Sequence, residues 1–110
     1  MYEFHGWISS LEQPNNSQIG MIAALKKGNF IVESSYSNGS FLAAMHGCSN
    51  HDRNSDELIE LFQAFEQNDA RGCLNIFDGE AAEVYRSFAM AAGKLIPIAL
   101  PAEFKEDWHG

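Results

Sequence analysis

The side chains best suited to chemistry are concentrated in one short stretch, HGCSNHDRN, residues 46–54. Its histidines and cysteine are acceptable zinc ligands, but a closed structural site needs four ligands in tetrahedral order. The possible fourth ligands are Cys73, His5 and Asp52. The spacing matches no common zinc signature, and a turn at Gly47 would require His51 to fold back toward the others. Polar residues between a strand and a helix more often shape a loop and cap the helix.

The same stretch offers a thiol nucleophile, because Cys48 lies close to His51 in the sequence. Nucleophilic catalysis requires an environment that lowers the thiol pKa and a base held in position, and the sequence indicates neither. We therefore expect an ordinary surface histidine at position 51, with no catalytic residue, no metal ligand and no cofactor. A small metal- or thiol-dependent enzyme, or a metal-binding protein, built on the cluster from His46 to Asp52 is kept as an alternative.

Length and composition favour one domain spanning residues 1–110. A chain of 110 residues that is 45% hydrophobic can close one core. No apolar run reaches membrane-spanning length, and the first residues lack the pattern of a signal peptide. Two cysteines are too few for a disulfide scaffold, so we expect free thiols and a cytoplasmic location.

The net charge of −8 is concentrated in the middle of the chain. Residues 51–83 carry nine acidic and two basic side chains, whereas the segments before and after are close to neutral. Such a surface repels nucleic acid and attracts basic partners over roughly a Debye length. We therefore expect a basic protein partner and neither a nucleic acid nor a membrane.

The first half of the chain predicts three strands and one helix. YEFHGWIS alternates in the period-2 pattern of a strand. QPNNSQIGMIAALKKG predicts a helix that is capped by Asn16 or Ser17 and ends at Gly28. Its predicted apolar positions are Ile19, Ile22, Ala23 and Leu25. NFIVESSYSNGSFLAAMHG predicts two strands joined by a tight turn at Asn38 and Gly39.

The second helix has the clearest pattern, in DELIELFQAFEQN after a capping Ser55. Its apolar positions, spaced i, i+3, i+4 and i+7, are Leu58, Leu61, Phe62 and Phe65. This spacing places them on one stripe that faces the core. Asp56, Glu57 and Glu60 fall on the opposite arc, and the first two suit the positive end of the helix dipole.

Three further strands are predicted in RGCLNIFD, AEVYRSFAM and GKLIPIAL, with a turn at Asp78 and Gly79. The order β-α-β-β-α-β-β is typical of an α+β fold, here a two-layer sandwich with two helices on one face of a mostly antiparallel sheet. Strand parity places Trp7 on the face away from Phe4. There it either serves a partner as an aromatic anchor or is covered by extra strands or by the C-terminal PAEFKEDWHG.

Four segments together resemble the Immunity protein 7 family of bacterial polymorphic toxin systems. They are EFHGWI, GCSNHDRNSDELIELFQAFEQ, ARGCLNIFD and GKLIP, and the resemblance covers roughly Glu3 to Pro97. It implies a small cytoplasmic protein that binds the C-terminal domain of a cognate toxin and blocks it. The chain departs from the family pattern where CLNIFDGEAAEV replaces a longer acidic hairpin, although Asp78, Glu80 and Glu83 retain acidic character.

The resemblance and the charge lead to one functional expectation. We expect an immunity protein that neutralises a cognate, basic toxin domain, for example a nuclease, by stoichiometric binding rather than by catalysis. The candidate toxin-binding residues are Asp52, Asp56, Glu57, Glu60, Asp78, Glu80 and Trp7. A ligand-binding or RNA-binding α+β module that uses Trp7 as a stacking platform is a third option, but Glu3 on the same strand disfavours RNA.

The spacing in residues 46–52 predicts that this segment binds no structural metal. Protein purified without chelator should contain far less than one transition-metal ion per chain, and EDTA should leave its melting temperature unchanged. Stoichiometric zinc, lost together with stability, would contradict this prediction.

Overall fold

The computed structural model describes residues 1–28, 30–49, 53–78 and 83–98. In chain order its elements are β1 (Tyr2–Ser10), α1 (Asn16–Lys27), β2 (Phe30–Ser37), β3 (Ser40–Ser49), α2 (Arg53–Ala64), β4 (Arg71–Asp78), β5 (Glu83–Ala91) and β6 (Lys94–Pro97). A 3-10 helix, Glu66–Asn68, follows α2. Within these residues, both helices fall short of the length and apolar character that crossing a membrane requires.

The strands form one open sheet in the order β2-β3-β1-β4-β5-β6, and every neighbouring pair is antiparallel. The predicted α+β class is therefore confirmed. All three strands predicted after the second helix are present, so the observed order extends β-α-β-β-α-β-β by one strand.

The central strand β1 separates the two faces of the sheet. Phe4 and Ile8 are completely buried beneath the helices, whereas His5 and Trp7 are exposed on the other side. We call these the helix face and the open face. Alternation along the strand predicted this division, and it governs which residues can act together.

The apolar stripe of α2 lies on the helix face, as predicted, with Leu58, Leu61, Phe62 and Phe65 completely buried. Phe62 contacts β1 at Gly6, where an added Cβ would lie 3.0 Å from the Phe62 ring. The predicted cap at Ser55 is wrong: α2 begins at Arg53, so Ser55 falls in the first turn and is buried. Glu57 consequently lies just beyond the first turn.

The predicted capping residue and apolar face of α1 are partly wrong. Asn15, rather than Asn16 or Ser17, caps the helix, and it forms a reciprocal capping box with Gln18. Ile22 and Leu25 are buried, as expected, but Ile19 and Ala23 are exposed. The buried face begins at Gln18 instead, a polar residue that the apolar pattern did not include.

Gln18 joins the start of α1 to the end of α2. Its Nε2 donates to the Ala64 carbonyl oxygen at 2.8 Å, and its amide pairs reciprocally with that of Asn68 at 3.2 and 3.3 Å. The polar groups of the Gln18 side chain are therefore satisfied although the residue is completely buried. The two helices run antiparallel, and these bonds hold them together at one end.

The two tight hairpin turns of the described chain have positive φ at both central residues. Asn38 and Gly39, at 53° and 73°, confirm the predicted turn between β2 and β3. Ala92 and Gly93, also at 53° and 73°, form an equivalent turn between β5 and β6. The predicted turn at Asp78 and Gly79 extends beyond the described residues.

Removing the Phe62 ring tests the packing of α2 on the sheet. Phe62→Ala should lower the free energy of unfolding by about 3 to 5 kcal/mol, because the ring is fully buried. The exposed neighbour Gln63 provides the control, since Gln63→Ala should change stability by less than about 0.5 kcal/mol. Chemical denaturation measures both values, and similar small changes would contradict the packing.

Candidate functional site

The HGCSNHD stretch begins on the open face of the sheet. His46 and Cys48 are exposed there at the end of β3, on one side of the strand as their spacing predicted. The predicted turn at Gly47 is wrong, because β3 continues through Gly47 to Ser49. Residues 50–52, which include the predicted site residue Asp52 and also His51, lie outside the described residues. Within the described chain, no three His, Cys, Asp or Glu side chains are grouped so as to hold a metal ion.

His46 has a second histidine as an aromatic neighbour on the adjacent strand. His5 and His46 are register partners, and their rings stack with centroids 6.3 Å apart at an interplanar angle of 12°. Phe77 contacts His5 edge-on at 5.7 Å, and a Glu3 carboxylate oxygen lies 3.9 Å from its Nε2. This arrangement forms a polar and aromatic surface on the open face. The sequence pattern missed it because strand register is needed to bring positions 5 and 46 together.

The second cysteine, Cys73, is half-buried opposite Trp7 in the β1–β4 pair. Burial raises its pKa above the ordinary 9.0, and a hydrogen bond with the Trp7 side chain partly opposes this shift. The Trp7 indole can only donate, so it donates to the Cys73 sulfur. A thiol with a raised pKa is protonated at neutral pH and is a poor nucleophile.

Trp7 lies within an apolar part of the open face and is 42% exposed. Other large apolar side chains exposed on this face are Ile31, Leu42, Ile96 and Ile98. The strands after α2 extend the sheet sideways and leave Trp7 uncovered. The alternative cover, PAEFKEDWHG at residues 101–110, lies outside the described residues.

Three of the predicted acidic residues lie together on α2. Asp56, Glu57 and Glu60 are all exposed on the arc opposite the buried stripe. Glu80 lies outside the described residues, and Asp78 is described only as the last residue of β4. The structure therefore brings Asp56, Glu57 and Glu60 together, but it places Trp7 on the opposite side of the sheet.

A groove between the two helices adds apolar surface to this acidic arc. Its lining residues are Met21, Ala24, Leu25, Lys27 and Gly28 on the α1 side and Glu57 and Glu60 on α2. The hydrogen bonds of Gln18 hold the helices together at the other end, and the groove opens where α1 ends. We call it the interhelical groove. The carboxylates of the groove were predictable from the sequence, but its α1 wall was not, because helix pairing determines that wall.

Comparison of the chain with protein-family models, with curated proteins and with solved structures found no match. The resemblance to the Immunity protein 7 family therefore remains a prediction from sequence motifs.

The raised pKa of Cys73 predicts slow alkylation. In a Cys48→Ser variant, the rate of reaction of Cys73 with iodoacetamide should keep rising above pH 9.0, the ordinary thiol value, because the thiolate forms late. Burial favours the protonated thiol over the thiolate in the folded state. The free energy of unfolding should therefore be highest below pH 9.0 and should fall as the pH rises through the higher pKa of the folded state.

The guanidinium-unfolded variant is the control, since its thiol should titrate near the ordinary value. Identical rate profiles for the folded and unfolded protein would contradict the burial of this thiol.

Proposed function

We propose that this protein is an immunity protein, a stoichiometric inhibitor that binds a basic toxin domain in the cytoplasm. The observation that carries the proposal is the interhelical groove, where Glu57 and Glu60 border a wall of α1 that is apolar except for Lys27. The motif resemblance to the Immunity protein 7 family supports the same function. The inhibitor needs no catalytic group, because its task is to bind its target rapidly and release it slowly.

The two kinds of surface in the groove suit these two requirements. Exposed carboxylates on α2 attract a basic partner and raise the association rate more than the affinity. Met21, which is half-buried, and Ala24, which is exposed, offer apolar contact area to a side chain that enters between the helices. Such buried contacts slow dissociation. A fitting partner segment therefore presents lysine or arginine beside an apolar side chain.

The open face is a second candidate surface for the same partner. Trp7 is a large exposed aromatic residue, with Leu42 nearby on the same face. Aromatic residues of this kind often carry much of the energy of an interface. A compact partner cannot cover both surfaces, because the sheet separates Trp7 from α2. We favour the groove because it combines apolar contacts with charge complementary to a basic toxin.

Co-expression with the toxin domain encoded by the neighbouring gene tests the function itself. The protein should restore growth and co-purify with that domain at equal stoichiometry, whereas unrelated toxins should not be neutralised. Protection at far below equal amounts, or the absence of any protein partner, would contradict the proposal.

Charge reversal on α2 tests the docking surface. In a triple variant, Asp56→Lys, Glu57→Lys and Glu60→Lys, the fold should persist because each exposed change costs within about 0.5 kcal/mol. The association rate with the toxin domain should fall, and its dependence on salt should weaken, because the steering charges are reversed. Stopped-flow kinetics at several salt concentrations measure both effects.

A matched control separates local from overall charge. Reversing Glu3, Glu12 and Glu33, which are exposed elsewhere, changes the net charge equally but should slow association much less. Equal slowing by both variants would show that the carboxylates of α2 have no special role in docking. Trp7→Ala should leave binding largely unchanged, and lost binding with an unchanged melting temperature would move the docking surface to the open face.

A further inference from the structure

The two edges of the sheet are built differently. β6 has four residues and includes Lys94 and Pro97, which are features that protect an edge from pairing with another chain. β2 has eight residues, no proline and one charged side chain, Glu33. It pairs with β3 in unbroken register from Phe30 to Ser37, with no bulge to bend it away. Within the described chain, no strand pairs with its outer edge.

The helix layer covers only the first half of this edge strand. Phe30 and Val32 are buried on the helix face, while every residue from Glu33 to Ser37 is exposed. Tyr36 belongs to the helix face by alternation, yet it is 44% exposed. The strand thus has one covered half and one uncovered half, and the uncovered half carries an aromatic side chain.

We propose that β2 pairs antiparallel with β2 of a second copy of this chain, centred on Ser34. In this register Val32 lies opposite Tyr36 of the second copy, an aromatic and β-branched pair on the helix face. Glu33 then lies opposite Ser35 of the second copy on the open face. Centring the pair on Glu33 instead would place two carboxylates opposite each other, which is unfavourable.

The helix layer covers only one half of β2, so two copies of the chain can pair along this strand without a clash between their helices. Antiparallel pairing sets the uncovered half of each strand beside the covered half of the other, so the two α1 helices lie at opposite ends. The acidic arc of α2 is remote from the contact, because Phe62 packs over the central strand β1. The α1 helix ends in Lys26 and Lys27, which offset part of the negative charge on this side. These features favour a second copy over an unrelated strand.

One strand pair forms a small interface. Stable dimers bury roughly 1,200 to 2,000 Å² in total, and a single pair of strands gives less. The dimer should therefore be weak and concentration-dependent, and it leaves the interhelical groove accessible.

Sedimentation equilibrium of the full chain up to about 1 mM tests the proposal. The parent protein should show a monomer–dimer equilibrium. Ser34→Lys and Ser34→Glu should each weaken self-association roughly tenfold or more, because each places like charges opposite one another. Mixing these two variants should restore a heterodimer, since opposite charges then face each other. Ile96→Lys, an exposed change on β6, is the control and should leave the equilibrium unchanged.

Other outcomes would overturn the proposal. A parent protein that stays monomeric at about 1 mM would exclude this dimer. The proposal would then be wrong even if the β2 edge bound a strand of another protein. A dimer that persists in both Ser34 variants but dissociates in Trp7→Ala would place the contact on the open face. Circular dichroism of each variant ensures that lost association is not lost folding.

Discussion

The packing of Phe62 against Gly6 is the contact on which the rest of this structure depends. Gly6 lies in the central strand, and a side chain there would meet Phe62, the Cys73 carbonyl oxygen and Leu74. Because Gly6 has no side chain, α2 can approach the middle of the sheet, and the whole apolar stripe of α2 is buried. Because residues alternate along β1, the same contact directs Phe4 and Ile8 inward and His5 and Trp7 outward.

A second glycine supports this arrangement from the neighbouring strand. A Cβ at Gly72 would collide with the carbonyl oxygen of Trp7, so only glycine lets β4 pair this closely with β1. The two motif segments that contain Gly6 and Gly72 thus serve the same function, the pairing and covering of the central strands. The one-sided helix layer leaves two separate surfaces, an acidic one on α2 and an aromatic and histidine-bearing one on the open face.

Regular periodicity made much of the fold predictable. A clear sequence period predicted the buried stripe of α2 and the two faces of β1. A single dipeptide, Asn38–Gly39, predicted the turn between β2 and β3. The face of α1 was less predictable, because its buried position at Gln18 is polar and depends on partners distant in sequence. The turn at Ala92 and Gly93 was not predictable from the sequence, because alanine has no preference for positive φ.

Locating the candidate surfaces required tertiary information. Composition located the negative charge in residues 51–83, of which α2 is one part, but the groove depends on how α1 pairs with α2. The stacking of His5 on His46 depends on the register between β1 and β3. Sequence reasoning grouped Trp7 with the acidic residues as one site, whereas the sheet separates them. For a basic partner, this separation makes the helix side and the open face alternative docking surfaces.

Mapping the backbone amides perturbed by binding would test whether the interhelical groove is the docking surface. The measurement is a two-dimensional NMR titration of labelled protein with the proposed partner, a toxin domain encoded by the neighbouring gene. If the toxin domain docks in the groove, the largest shifts at equal stoichiometry should cluster at Met21, Leu25, Glu57 and Glu60, with little change at Trp7 and Leu42. Shifts concentrated on Trp7, Leu42 and His46, with the interhelical groove unaffected, would contradict it.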